Sequence, residues 1–125
     1  MKKIIKTLNA PQAIGPYSQG VVAGDFVFTS GQIHLTPDGK LVEGTVEEQM
    51  HQVMKNLEAI LEADNVTFKN VVKTTIYVTD ISDFEKMNEV YKIYMSEPYP
   101  ARETVSVDKL PKGARFEVSM VAVKD

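Results

Sequence analysis

The chain contains no cysteine. That absence excludes disulfides, a thiolate nucleophile and cysteine-ligated zinc. Positive charge is not in excess either: 14 Lys and Arg against 17 Asp and Glu leave a net charge of −3. The basic residues are spread singly apart from Lys2-Lys3, so no field gathers to attract a phosphate backbone, and nucleic acid is not expected as a partner. Long apolar runs are missing as well. The start, Met1-Lys2-Lys3-Ile4-Ile5-Lys6, resembles a secretory leader, but its apolar run stops at Ile5, and no stretch could span a bilayer. A soluble cytoplasmic protein with no membrane attachment is expected. The Walker loop, G-x-G-x-x-G and G-x-S-x-G are also absent, which removes the signatures of nucleotide-phosphate and serine-hydrolase sites. The histidines, His34 and His51, fall in different segments with no further ligand at metal-binding spacing. Both read as structural or solvent-facing, and no metal site is expected.

What is present fits one domain over residues 1–125, long enough to bury its own core, with 43% hydrophobic and 25% charged residues. Tyr17 to Val22 and Phe26 to Ser30 flank Ala23-Gly24-Asp25 and read as a hairpin. Thr45 opens a helix with Glu48 in capping-box spacing. Val46, Met50, Val53, Leu57, Ile60 and Leu61 give it one apolar stripe, and it ends near Asp64-Asn65. A β-branched strand follows from Val71 to Val78. A second helix opens at Ser82, with Glu85 three residues on, carries Phe84, Met87, Tyr91 and Tyr94 on its core face, and stops before Pro98. Strands near Thr104–Val107 and Arg115–Val123 complete the chain.

The order is β-β-α-β-α-β-β, an α+β pattern in which both helices can cover one face of a mixed sheet. The strands Val71–Val78 and Arg115–Val123 carry apolar residues toward both faces. A second apolar face without helices of its own calls for a subunit contact, so an oligomer is expected.

Chemistry concentrates near the end of the chain. Pro100-Ala101-Arg102 and Phe116-Glu117-Val118 lie on strands joined through Leu110-Pro111-Lys112-Gly113, a tight connection that could bring Arg102 near Glu117. An arginine fork can hold a carboxylate, and a glutamate can position or deprotonate a water. The pair also reads as a cross-strand salt bridge, which spacing alone favours. Pairing Thr104 opposite Glu117 would set Arg102 on the same sheet face, one diagonal step away, whereas a slip of one residue would turn the two apart. Gly15-Pro16-Tyr17-Ser18-Gln19-Gly20 and Ser30-Gly31-Gln32 set hydroxyls beside glycines at strand ends. Backbone there can approach a ligand closely, although Gly-Pro and Ser-Gly are also ordinary turn chemistry. Asn88 falls off the apolar stripe of the second helix and points either to solvent or to a subunit boundary.

Several blocks together resemble the Rid/YjgF family, and most of all its branch of reactive enamine/imine deaminases. They are Ile14-Gly15-Pro16-Tyr17-Ser18-Gln19, Thr29-Ser30-Gly31-Gln32-Ile33, Val72-Lys73-Thr74-Thr75-Ile76-Tyr77-Val78, Asn88 with Tyr91, and Pro100-Ala101-Arg102 with Leu110-Pro111-Lys112 and Glu117. The resemblance implies a chorismate-mutase-like subunit and a homotrimer with clefts between neighbours. It implies hydrolysis of 2-aminoacrylate and 2-aminocrotonate, as their 2-imino acids, to 2-oxo acids and ammonia, without a cofactor. Such enamines leak from pyridoxal-phosphate-dependent dehydratases and damage enzymes of that class. Arg102 would hold the substrate carboxylate and Glu117 would serve the water, with Tyr17, Ser30, Gly31, Asn88 and Thr104 around the substrate.

Two positions depart from the family pattern. Glu103 stands where a small residue is usual, and Thr104 where many members have cysteine; strand alternation is expected to turn Glu103 away from Arg102. Two other functions compete with deamination. One is a non-catalytic sensor of a small 2-oxo or amino acid that acts on a regulatory partner. The other is a translation-inhibiting ribonuclease, against which the acidic balance and the missing histidine pair argue.

Overall fold

The computed structural model describes residues Met1–Asp125. Thr45 caps the longer helix, α1 (Val46–Glu62), by the expected exchange. Its hydroxyl accepts from the Glu48 N–H at 3.1 Å, and the Glu48 carboxylate accepts from the Thr45 N–H at 3.0 Å. The whole predicted stripe from Val46 to Leu61 is buried, and each fully buried aliphatic side chain in it is worth about 1.5–3 kcal/mol of transfer free energy.

The second helix starts differently from expectation. Ser82 does not cap it. Residues Ile81–Asp83 form a 3₁₀ turn in which the Asp80 carboxylate accepts from the Ser82 N–H at 3.0 Å and from its hydroxyl at 2.7 Å. The α-helix proper, α2, runs Phe84–Tyr94, and Asp83 at its N-cap makes no side-chain bond to it. A local Asx-type bond at Asp80 thus outcompetes the capping box.

The strands are β1 (Lys2–Ile5), β2 (Gly20–Ala23), β3 (Phe26–Thr29), β4 (Gln32–Ile33), β5 (Val71–Val78), β6 (Ala101–Ser106) and β7 (Phe116–Val123). The architecture is the mixed α+β type expected, with β1 and β4 added to the predicted order. The sheet order is β1-β2-β3-β7-β5-β6, and β4 also pairs with β7. Only β5 and β6 run parallel, joined by α2. β2 and β3 form the expected hairpin around Gly24-Asp25, with Ala23 opposite Phe26. Gly24 takes φ of 61°, the conformation the first position of such a two-residue turn demands. Tyr17 to Gln19 stay outside β2.

One face of the sheet carries the core. Phe116, Val118, Met120 and Ala122 of β7, Ile76 and Val78 of β5, and Val27 of β3 are buried in one cluster with the stripes of both helices. The opposite face has no helix. Ile4, Phe26, Phe28 and Val105 each remain more than 40% exposed there, in register with Val21, Val121, Val123 and Glu117. No helix is long and apolar enough to cross a membrane.

Candidate active site

The connection from β6 to β7 is not a hairpin. β7 inserts between β3 and β5, so β5 separates the strands of Arg102 and Glu117. Thr104 pairs with Ile76, and Ile76 with Val118, not with Glu117. The register sets Glu117, Tyr77 and Val105 in one row and Met120, Thr74 and Arg102 in another. Strand alternation then puts Arg102 on the helix-covered face and Glu117 on the bare one. The expectation that the two lie together on one face is therefore wrong within a single chain, because β7 returns past β5 instead of pairing with β6. The salt-bridge explanation falls with it.

Arg102 sits in an open groove lined by Asn88, Tyr91, Lys92, Tyr99 and Pro100. Its Nη1 donates to Asn88 Oδ1 at 2.6 Å. The guanidinium carbon lies 5.0 Å from the Tyr91 ring centre and 5.5 Å from that of Phe84. Phe84, Asn88 and Tyr91 share one helix face at i, i+4 and i+7, and Tyr91 is fixed in turn by its hydroxyl, which donates to buried Thr74 Oγ1 at 3.0 Å. Two rings and one neutral acceptor hold the cation, and no carboxylate of the chain lies in ion-pair range of it. Glu103 turns the other way, as alternation predicts, and pairs with Lys73 at 2.7 Å. Thr104 shares the Arg102 face but lies in a separate shallow groove with Ile81, Ser82, Phe84 and Glu85.

Glu117 lines a second cavity, with Tyr17, Ser30, Gly31, Ile33 and Lys112 among its walls. The cavity exists because the strand facing β7 breaks between β3 and β4. Across the break, Thr29 Oγ1 accepts the Met120 N–H at 2.9 Å in place of a backbone carbonyl. Gly31 then passes so close to Glu117 that a Cβ there would stand 2.7 Å from Oε2. The Glu117 carboxylate is half-buried, and burial raises its pKa above the usual glutamate range.

The segment from Thr7 to Tyr17 closes the cavity and hangs on one buried amide. Gln19 Oε1 accepts from the Thr7 N–H at 2.8 Å, while its Nε2 donates to the carbonyls of Thr7, Ala10 and Pro11 at 3.1, 3.3 and 2.7 Å. The Gln19 carbonyl accepts the Ser30 N–H at 2.9 Å, and the Ser30 hydroxyl donates to the Ser18 carbonyl. The Tyr17 hydroxyl accepts from the Ile14 N–H at 3.3 Å.

The structure thus gathers Glu117, Tyr17, Ser30 and Gly31 at one place and Arg102 with Asn88 at another, with Thr104 in neither cavity. Sequence reading missed Phe84 and Tyr91 as ring partners of Arg102, placing both on the core face, although Tyr91 also stood with Asn88 among the blocks that resemble the family. The i, i+4, i+7 spacing of Phe84, Asn88 and Tyr91 was the available signal. It also missed Gln19, which carried none beyond its place in the Gly15–Gly20 block.

The family model described as Endoribonuclease L-PSP matches residues 7–124. The chain is 46% identical over 125 residues to the human 2-iminobutanoate/2-iminopropanoate deaminase, covering 99% of this chain and 91% of that protein. Among solved structures, a Thermotoga maritima protein superposes with a TM-score of 0.97 at 47% identity, covering 100% of this chain and 99% of that one. The Escherichia coli protein TdcF, solved with bound serine, gives 0.93 at 40% identity over 98% of this chain and 99% of its own.

Proposed function

This chain belongs to the Rid/YjgF family, and we propose that it hydrolyses small 2-imino acids, the tautomers of 2-aminoacrylate and 2-aminocrotonate, to 2-oxo acids and ammonia. The observation that carries this reading is Arg102: a guanidinium pinned by Asn88, stacked on two rings and left without a carboxylate of its own. An arginine held ready but unpaired fits an external carboxylate. Bound serine in TdcF is consistent with a carboxylate-bearing ligand for this family.

The two half-sites belong to one reaction if copies assemble so that the Glu117 cavity of one faces the Arg102 groove of its neighbour. The exposed apolar face supports such an assembly, and we assign it as a homotrimer with three shared clefts. In each cleft the Arg102 fork grips the substrate carboxylate, a charge-assisted bond worth about 1.5–3 kcal/mol. Glu117 takes a proton from water as the oxygen attacks the carbon of the protonated imine, giving a neutral carbinolamine. It passes that proton to the nitrogen and then takes the carbinolamine hydroxyl proton as the C=O bond forms and the C–N bond breaks, so that ammonia and the 2-oxo acid leave. Its raised pKa brings it closer to the working pH, where a base is most effective, and a positioned base contributes roughly 10²–10⁴-fold. Tyr17, Ser30 and Gly31 wall the cavity on the Glu117 side. Enamine released next to pyridoxal-phosphate enzymes would be intercepted, which gives the reaction its protective role.

The ribonuclease reading finds no support in the histidines. Both ring nitrogens of His34 are engaged inside the fold, and His51 Nδ1 lies 2.8 Å from the Tyr94 hydroxyl on the helix side. The deciding experiment couples the protein to a serine or threonine dehydratase and follows release of ammonia and oxo acid. Acceleration by wild type and not by Arg102→Ala is expected. Binding of 2-oxobutanoate without any acceleration would establish a sensor instead.

A further inference from the structure

His34, beside the Glu117 cavity, is 1% accessible, and nothing in the proposed reaction uses it. It follows directly on β4, whose pairing with β7 is only Gln32 with Val118 and Ile33 with Glu117. The backbone ladder ends there. In its place the His34 ring accepts the Arg115 N–H on Nε2 at 2.8 Å, while Nδ1, carrying the proton, donates to the Val42 carbonyl at 2.9 Å. The backbone on either side of the ring is fixed as well. Buried Asn56 of α1 donates to the carbonyls of Ile33 and Leu35 at 3.2 and 2.8 Å. On the far side of β7, the Arg115 carbonyl accepts from the Thr79 N–H at 3.1 Å.

We infer that His34 is a positioning residue for Glu117: its ring staples the start of β7 to the wall formed by Gly31, Gln32 and Ile33, and so keeps the Glu117 carboxylate pressed into the cavity. The first bond on the β4 side ahead of Glu117 is made by a side chain because a ladder of two residue pairs is too short to hold register alone. The Gly31 approach shows how little slack exists, since even one added carbon would meet the carboxylate. Burial also lowers the pKa of His34, which keeps the ring neutral as the two bonds require; a second proton would set N–H against N–H at Arg115. Arg115 is the charged neighbour of His34 and pairs with Asp83 at 3.6 Å. Around Glu117 stand Tyr77 on β5, Tyr17 and Lys112 in the cavity wall and, in the proposed assembly, Arg102 of the neighbouring copy. None of these is altered by replacing His34, so a change in Glu117 titration reads its burial.

The role as a catalytic aid rests on Glu117 acting as the base, but the staple is measurable without activity. The full-length protein, labelled with ¹³C at glutamate carboxyls and saturated with 2-oxobutanoate so that Arg102 of the neighbouring copy is charge-paired, is titrated by NMR, with the Glu117 signal identified from Glu117→Gln. His34→Asn keeps a donor for Val42 and is too short to accept from Arg115, whereas His34→Gln reaches Arg115. The Glu117 midpoint is expected to fall toward the ordinary glutamate value in His34→Asn and to stay at the wild-type value in His34→Gln. His34→Leu, which loses both bonds, is expected to behave like His34→Asn; should it fail to fold, the Asn and Gln pair carries the comparison. In the deaminase assay kcat of His34→Asn is expected to drop roughly tenfold or more, as angstrom-scale misplacement does, with 2-oxobutanoate affinity unchanged. A Glu117 midpoint that does not move in His34→Asn overturns the proposal. Undiminished turnover in Glu117→Gln would instead overturn the deaminase mechanism and leave the stapling result standing.

Discussion

Mixing two inactive variants should restore activity. Arg102 and Glu117 stand on strands separated by β5, in rows offset by the distance from Glu117 to Met120, and on opposite sheet faces. Two strand spacings and a three-residue offset put their Cα atoms roughly 14 Å apart, with the side chains diverging. No small imino acid can touch both within one chain. Arg102→Ala destroys the carboxylate grip but leaves an intact Glu117 cavity, and Glu117→Gln does the reverse. In a closed ring each cleft takes Arg102 from one copy and Glu117 from the next. With equal random mixing, half the copies supply a good Arg102 and half a good Glu117, so about one-quarter of clefts are complete whatever the ring size.

The assay denatures the two variants together, refolds them and follows oxo-acid release in the dehydratase-coupled reaction. The Glu117→Gln parent should retain about 1% of wild-type activity or less, given a base worth roughly 10²–10⁴-fold, and the Arg102→Ala parent about 1–8%, given a carboxylate grip worth about 1.5–3 kcal/mol. The mixture should approach one-quarter, and a series of ratios should trace f(1−f), peaking at the equal mixture. A mixture that never exceeds its parents, with subunit exchange verified by mass, would refute the shared cleft.

Other expectations follow from the same geometry. Asn88→Ala frees the guanidinium from its only side-chain acceptor, so 2-oxobutanoate affinity by calorimetry should fall about 5–10-fold, less than in Arg102→Ala. Gly31→Ala sets a methyl at 2.7 Å from Glu117 Oε2; kcat should fall about 10²-fold while the far-UV spectrum is unchanged. Asp64 forms ion pairs with Lys124 at 3.0 Å and Lys3 at 3.4 Å, which clasps both chain ends to the turn after α1 and lowers the Asp64 pKa, chiefly through Lys124. Lowered in the fold, it stabilises above the ordinary aspartate pKa and loses that contribution as pH falls through the folded value. Asp64→Asn should therefore cost about 1 kcal/mol at neutral pH, a few degrees in Tm, and nothing in strong acid.

α1 and β5 were legible because each satisfies a local rule that the rest of the fold does not oppose. Thr45 and Glu48 close their cap within one turn, and the β-branched run of Val71–Val78 is β5 to the residue. β1 was not legible: three of its four residues are exposed, so only Ile5 signals burial and no alternation shows. The start of α2 was misread because Asp80, outside the supposed capping box, takes both the N–H and the hydroxyl of Ser82. Alternation alone sufficed to turn Glu103 from Arg102, since that depends on neighbours in sequence. The relation of Arg102 to Glu117 depends on which strand lies between theirs, and no local pattern encodes that β7 enters beside β5.

In the proposed cleft the two half-sites carry opposite electrostatic problems, and one ligand would resolve both. Exposed Arg102 gains little from a carboxylate in water, while half-buried Glu117 accepts no hydrogen bond from the chain to offset the cost of its charge. Closing a cleft around them lowers the dielectric and strengthens the grip of Arg102. The same closure would let an unpaired guanidinium pull the Glu117 pKa down and weaken it as a base. A substrate carboxylate cancels that charge as it binds, so the elevated pKa survives only when the correct class of substrate is present. Discrimination then follows without a dedicated pocket for the side chain. An imine lacking the carboxylate is held poorly and also meets a weaker base.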